Sequence, residues 1–311
     1  MEQPPGENRL ETFLLDSAAR PRRGTGRWLP RILLVLGLLA LMFGGWWSRE
    51  PAVPDGRVPP DAAPGVAVTA ALVATVRTLL EKPGGFLAND ALPPGVLLDN
   101  MPAFENGALA ASRTLLRALR RDFSRAQTQS VEDPDLLRAE PRLNFDSGSW
   151  LVPSAESEYG DALAALENYL ARLQMSPPGA RFQARADNLG RWLDEVGAQL
   201  DEQGRLLATA RHDTPWLAID DRFYFTRGYC WALRAQLLAL RRDFATTPAL
   251  DAGFAAALHA LDGTQQPVTS PLILNGGEYG VLANHSLVMA GHVGRVAAAL
   301  RQLRVPGPAG D

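Results

Sequence analysis

Hydrophobic residues follow two patterns along this chain. From Ile32 to Trp47 they form one run without a charge, and from Val66 onward they recur every three or four residues between polar or proline-bearing breaks. A bilayer core about 30 Å thick needs roughly 17–25 helical residues. The run supplies 16, or 20 with the Trp28–Arg31 turn, so it predicts a membrane-spanning helix over 28–47. The second pattern has the period of amphipathic helices. Leu72, Val76, Leu79 and Leu80 make one stripe, stopped by Lys82–Pro83–Gly84–Gly85, and Leu109, Leu116, Leu119 and Phe123 make another. Asp133–Pro134 reads as an N-cap with proline in the first turn, and Ser154 with Glu156, Glu158 and Asp161 opens a helix whose core face is Leu163, Leu166, Leu170 and Leu173. A seam from Phe182 through Leu189, Leu193 and Val196 to Leu200 fits core packing better than a coiled coil, being under four heptads. Further helices fit Phe223–Phe244, Pro248–Leu261 and Tyr279–Leu303, and strand-like alternation is scarce. The predicted class is all-α.

The flanks of the apolar run orient it. Arg20, Arg22, Arg23, Arg27 and Arg31 precede it, and only Arg49 and Arg57 follow closely. The positive-inside bias therefore leaves the N-terminus cytoplasmic and the remainder periplasmic, on a bacterial inner membrane. Trp28 and Trp46–Trp47 fit the two interfacial belts. A cleaved signal peptide is the competing reading, but tryptophans stand where small residues should mark a cleavage site. Arg22–Arg23 is a weak twin-arginine match, because Gly24 follows rather than a bulky apolar residue.

Boundaries follow. Residues 1–27 read as a disordered cytoplasmic head and 28–47 as a retained signal anchor. Residues 48–65, with Pro51, Pro54, Pro59, Pro60 and Pro64, read as an extended spacer reaching about 50 Å at roughly 3 Å per residue. Residues 66–305 form the helical periplasmic domain, and 306–311 a disordered tail.

Within that domain the sequence echoes itself. Pro94–Phe123 aligned without a gap to Pro215–Phe244 matches at 13 of 30 positions, where composition gives about three. Asp99 pairs with Asp220, Phe104 with Phe225, Gly107 with Gly228 and Arg113 with Arg234, and both blocks end in ALRRDF. Glu-Tyr-Gly recurs at 158–160 and 278–280. The expectation is an internal duplication, with units at about 94–174 and 215–304 packed about a pseudo-two-fold axis.

Composition narrows the chemistry. A net charge of −3 and the lack of a basic stripe argue against nucleic acid as a partner. Lys82 is the only lysine among 31 basic residues. The one cysteine, Cys230, excludes an internal disulfide and reads as a buried apolar residue. Paired cysteines and an H-E-x-x-H motif are missing from the sequence, so neither a metal nor a cofactor is expected. His285 and His292, seven apart, share a predicted inward face with Met289, Val296 and Leu303. They stand about 10 Å apart along the axis, too far to share an ion. Glu158 and Glu278 open helices where a general acid could sit, and Glu278, beside Tyr279 and Gly276–Gly277, is the better candidate. Catalytic candidates are therefore Glu278, His285 and an acid such as Asp220 or Asp99. Asn284–His285–Ser286 is no triad, since adjacent helical residues face apart. Binding candidates are Arg120, Arg121, Arg241 and Arg242, which could form one anionic site if the two units faced them together.

The segments KPGGFLAND (82–90), PPGVLLDNMP (93–102), LRRDFSRAQTQSVEDPDL (119–136), NFDSGSWLVPSAESEY (144–159) and SPLILNGGEYGVLANHSLVMA (270–290) resemble one family of Gram-negative bacterial proteins, a domain of unknown function. The resemblance runs from about Arg31 to Leu303. It implies one N-terminal span and a helical remainder, and brings no activity, cofactor or catalytic residue. Relatives are expected to be longer around Leu206–Thr214, which would make that stretch a trimmed loop. Together these readings favour a membrane-anchored periplasmic scaffold or accessory protein of the cell envelope that binds an envelope protein. The alternative is a periplasmic hydrolase of peptidoglycan or another envelope polymer.

Overall fold

The computed structural model describes residues 28–54, 56, 58–125, 131–213, 217–268 and 285–303. Among these the regular structure is helical throughout, without a strand. The chain divides into two compact units, Met1–Phe43 and Gly44–Asp311.

Of the first unit, residues 28–43 are described; from Leu29 they lie in α1, Leu29–Trp47. Nineteen residues make a rod about 28 Å long. Its leucines stand exposed all round, which water does not favour and lipid does. Among the described residues this is the one helix long and apolar enough to cross a membrane.

The second unit holds α2 (Val66–Glu81), α3 (Asn100–Ala118), α4 (Pro134–Leu143), α5 (Ala155–Leu173), α6 (Ala186–Asp213), α7 (Leu217–Phe244), α8 (Pro248–Thr264) and α9 (His285–Gln302). The predicted caps form: the Asp133 carboxylate accepts from Asp135 N and Leu136 N, and Ser154 Oγ accepts from Ser157 N. Thr247 caps α8 through Leu250 N, again with proline next in the chain. After Ala118 the helix widens into a π turn, Leu119–Phe123.

The body is organised around α3 and α7, which run parallel in close contact. A Cβ added to Gly107 would fall 1.8 Å from Phe225 O, and one added to Gly228 would fall 1.9 Å from Phe104 O. Each glycine thus opens the crossing for the other helix's carbonyl, and the two contacts are reciprocal at the positions that match in sequence. Further along, Phe123 and Phe244 meet at 6.0 Å between ring centroids, with Phe182 stacked on Phe123 at 5.1 Å. Around this pair α4 packs on α5 and α2 lies on α5, while α8 packs on α9 and α6 lies on α9. The helices fall into two sets of four in the same order, beginning at Val66 and Ala186, earlier than the matched sequence blocks.

Several expectations need correction. Residues 48–65 do not act as a free spacer. An extended proline-rich chain makes no internal hydrogen bonds, and the body takes up its carbonyls: Trp231 Nε1 donates to Pro51 O at 3.0 Å, and Arg242 donates to Val58 O and Pro59 O. Arg227, buried, donates to the Glu50 carboxylate at 2.6 Å, and Gly65 N donates to Asp243 at 3.0 Å. The buried face of α5 is rotated toward Tyr159, Ala162, Ala165, Leu166 and Tyr169, leaving Leu163 and Leu170 half-buried, because the small alanines admit α2 and α4. Phe182 precedes α6 and serves the aromatic cluster instead of the seam. Leu206–Asp213 continues α6 and is no loop. The head, the tail and residues 269–284 lie outside the described residues.

Candidate functional site

The parallel α3–α7 pair brings two helix N-termini to one end of the body. Positive dipole ends lying side by side repel, and carboxylates there offset the repulsion. Asp99 precedes α3 and its Oδ1 accepts from Asn100 N at 2.9 Å; Asp220 Oδ1 accepts from Asp221 N at 3.1 Å. Beside them opens a cleft of about 560 Å³. Pro102, Ala103, Leu206 and Phe225 give it an apolar floor, and Asp99, Asn106, Gln203, Asp221 and Arg222 supply polar groups. Arg222 Nη1 donates to Leu206 O at 3.3 Å and Thr226 Oγ1 donates to Gln203 Oε1 at 3.3 Å, so α6 and α7 are tied together at the rim.

Burial raises the pKa of Asp220, and the charges of Asp99 and Asp221 raise it further. Asp221 is raised by burial and then by Asp99. Asp220 and Asp221 therefore hold their protons more tightly than free aspartates. Among the described residues no group of three or more His, Cys, Asp or Glu side chains is placed to hold a metal ion.

Other predicted site residues are dispersed. Glu278 lies outside the described residues. His285 sets its ring edge-on to Phe223 at 6.3 Å and does not line the cleft. The inward face of α9 is Ser286, Met289, Val293, Val296, Ala297 and Leu300, so both histidines sit half-buried at its margin, one residue off the predicted stripe. His292 presses on Gly263 and contacts Arg295 at 2.6 Å; burial and then that guanidinium lower its pKa. Glu158 is paired with Arg142 at 3.1 Å.

The four arginines do not assemble one anionic site. Arg120 pairs with Glu140 at 2.5 Å and Arg241 grips Asp251 through two bonds of 2.6 and 2.8 Å. Arg242 holds the proline-rich segment, and Arg121 is exposed. Acids reach Arg120 and Arg241 first, and backbone carbonyls reach Arg242. Cys230 is buried, which pushes its thiol up to about 12 and makes it a poor nucleophile.

One constellation had no reading in the sequence. Lys82 Nζ lies 2.5 Å from Glu105 Oε1, with both side chains fully buried, and also donates to Gly85 O at 2.7 Å. The Glu105 carboxylate accepts from Leu87 N and Ala88 N. Burial pushes this carboxyl up to about 7, against the pull of Lys82 and the amides. The pair fastens the 82–90 loop onto α3. The available signal was a solitary lysine in a chain that otherwise uses arginine.

No curated protein and no solved structure matches the chain. A family model described as an uncharacterised protein conserved in bacteria matches residues 22–211 and 199–305. The two matched segments overlap within α6, around the stretch where relatives are expected to be longer. With nearly the whole chain from Arg22 onward covered, the protein belongs to this bacterial family, DUF2333.

Proposed function

We propose that this is a single-pass inner-membrane protein whose helical body lies in the periplasm and acts by binding, as a scaffold or accessory factor of the cell envelope. The observation that carries the binding role is the cleft between α3, α6 and α7. Its volume falls in the range of ordinary ligand sites, roughly 300–1,000 Å³, and it combines an apolar floor with a few polar groups. Asp99 and Asp221 at that cleft suit a partner segment that is apolar with a basic residue. The arginine bias before α1 supports a cytoplasmic N-terminus. We read the reciprocal Gly107 and Gly228 contacts, with the 13 matched positions, as the trace of a duplicated four-helix unit.

A second reading, hydrolysis of an envelope polymer, draws on the raised pKa values of Asp220 and Asp221, since a general acid needs its proton held. One experiment separates the two. Purified full-length protein is incubated with isolated sacculi and with a membrane-protein fraction, and both binding and release of soluble fragments are followed. Binding without fragment release is expected. Release of fragments that stops in Asp221→Asn or Asp220→Asn would establish the hydrolase instead. A reporter fused after Asp311 that is active only in the cytosol would overturn the periplasmic placement.

A further inference from the structure

Two loops of the second unit expose runs of apolar residues. Leu92, Val96 and Leu97 project from the loop before α3, and Trp150, Leu151 and Val152 from the loop before α5. All six are exposed, Val152 fully. The two loops are tied together: Asn89 Nδ2 donates to Ser149 O at 3.0 Å and to Glu156 at 2.7 Å, and Ser149 Oγ donates to Pro153 O at 3.0 Å. Apolar side chains exposed in numbers on neighbouring loops mark a surface that something covers.

The position of these loops indicates what covers them. A Cβ on Gly44 would lie 3.6 Å from Leu98 and 3.9 Å from Pro94, so the last turn of α1 rests on the loop that carries Leu92, Val96 and Leu97. Gly84, with φ +87°, lets the Trp47 ring lie against the turn beside Lys82, and the Lys82–Glu105 pair fixes that turn to α3. Glu50, Pro51, Val58, Pro59 and Gly65, which follow α1, are each hydrogen-bonded to the body.

We infer that this face of the body is a lipid-contact surface, with the 92–97 and 150–152 loops seated in the interfacial layer of the bilayer that α1 spans. The inference rests on reading α1 as a membrane span. Trp150 suits such a layer, since indole keeps an apolar body and a polar N–H at the boundary. Leucine and valine tips reach past it into the acyl region. The 560 Å³ cleft, near the same N-terminal ends of α3 and α7, would then open close to the membrane.

The test uses the full chain in liposomes of phosphatidylethanolamine and phosphatidylglycerol. Cys230 is buried, so a new cysteine at Val152, Leu97, Val131 or Leu36 takes an environment-sensitive fluorophore. Val131 is the control: it is 94% exposed but follows the C-terminal end of α3. Blue-shifted emission quenched by spin-labelled lipid is expected for Val152→Cys and Leu97→Cys, and water-like emission for Val131→Cys. Water-like emission at 97 and 152, with Leu36→Cys quenched by lipid, would overturn the lipid face while leaving the anchor standing. Water-like emission at Leu36→Cys as well would overturn the anchor and this inference with it.

Discussion

The two ends of the α3–α7 pair carry matched residues but behave differently. At the C-terminal end Phe123 and Phe244 close on Phe182, and Arg120 and Arg241 are neutralised by Glu140 and Asp251. At the N-terminal end Asp99 and Asp221 line a cleft, and burial with the charge of Asp99 raises the pKa values of Asp220 and Asp221. Polar groups that serve the fold find partners, and those left over at a concave surface are available to a ligand. On the binding role proposed above, structure lies at one end and recognition at the other.

Substitutions that remove what joins the ends should have the largest effects. Lys82→Met leaves the Glu105 carboxylate buried without its cation and is expected to cost about 3–5 kcal/mol, whereas Lys82→Met with Glu105→Gln should recover most of that loss. Denaturant titration of the single and double variants checks this; a single variant as stable as the parent would remove the pair from the account. Gly107→Ala and Gly228→Ala each drive a methyl into a facing carbonyl, and each should cost about 3 kcal/mol, at the upper end of overpacking penalties. Near-equal losses at the two sites would sharpen the symmetry of the crossing, and a large loss at only one would break it.

How these features relate to the sequence depends on range. Signals within a few residues were legible: the apolar run of α1, the Asp133–Pro134 and Ser154 caps, and the Leu109–Phe123 stripe all form as read. Gly107 and Gly228 were legible as matched positions, and their contact with the facing carbonyls explains why both lack a side chain. Features set by distant partners were not. Proline spacing gives an extended chain, yet Arg227, Trp231, Arg242 and Asp243, more than 170 residues away, decide that it lies on the body. Nothing local marks Lys82 as the partner of Glu105. At the site, Asp99 and Asp220 were named as acids, while Asp221, Gln203 and Leu206 depended on how α6 meets α7. The acids that pair Arg120 and Arg241 lie in other helices, so the sequence of the ALRRDF blocks does not show them.

A smaller effect concerns pH. Burial pushes Asp243 up to about 6 and Glu105 up to about 7. Each folded-state value lies above the unfolded one, so the folded form binds the proton more tightly. The contribution to stability is full below about pH 4 and is lost as pH rises through 6 to 7. Asp243→Asn, whose amide oxygen still accepts from Gly65 N, should flatten that slope; melting at pH 5 and 8 measures it, and an unchanged slope would exclude Asp243 as its source. The smallest stability effect belongs to the open end. Asp221→Asn should change stability by no more than about 0.5 kcal/mol, yet weaken partner capture. Equal stability with equal capture would mean that Asp221 takes no part in recognition.

The division between a closed structural end and an open recognising end is tested most directly by photo-crosslinking in living cells. A photoreactive amino acid is placed at Gln203 in the cleft and, separately, at Arg121 on the exposed surface of the closed end. The account predicts a discrete adduct with an envelope protein from position 203, lost when Ala103→Trp fills the cleft, and none from position 121. An adduct from 121 alone, or one from 203 that survives the filled cleft, would contradict it.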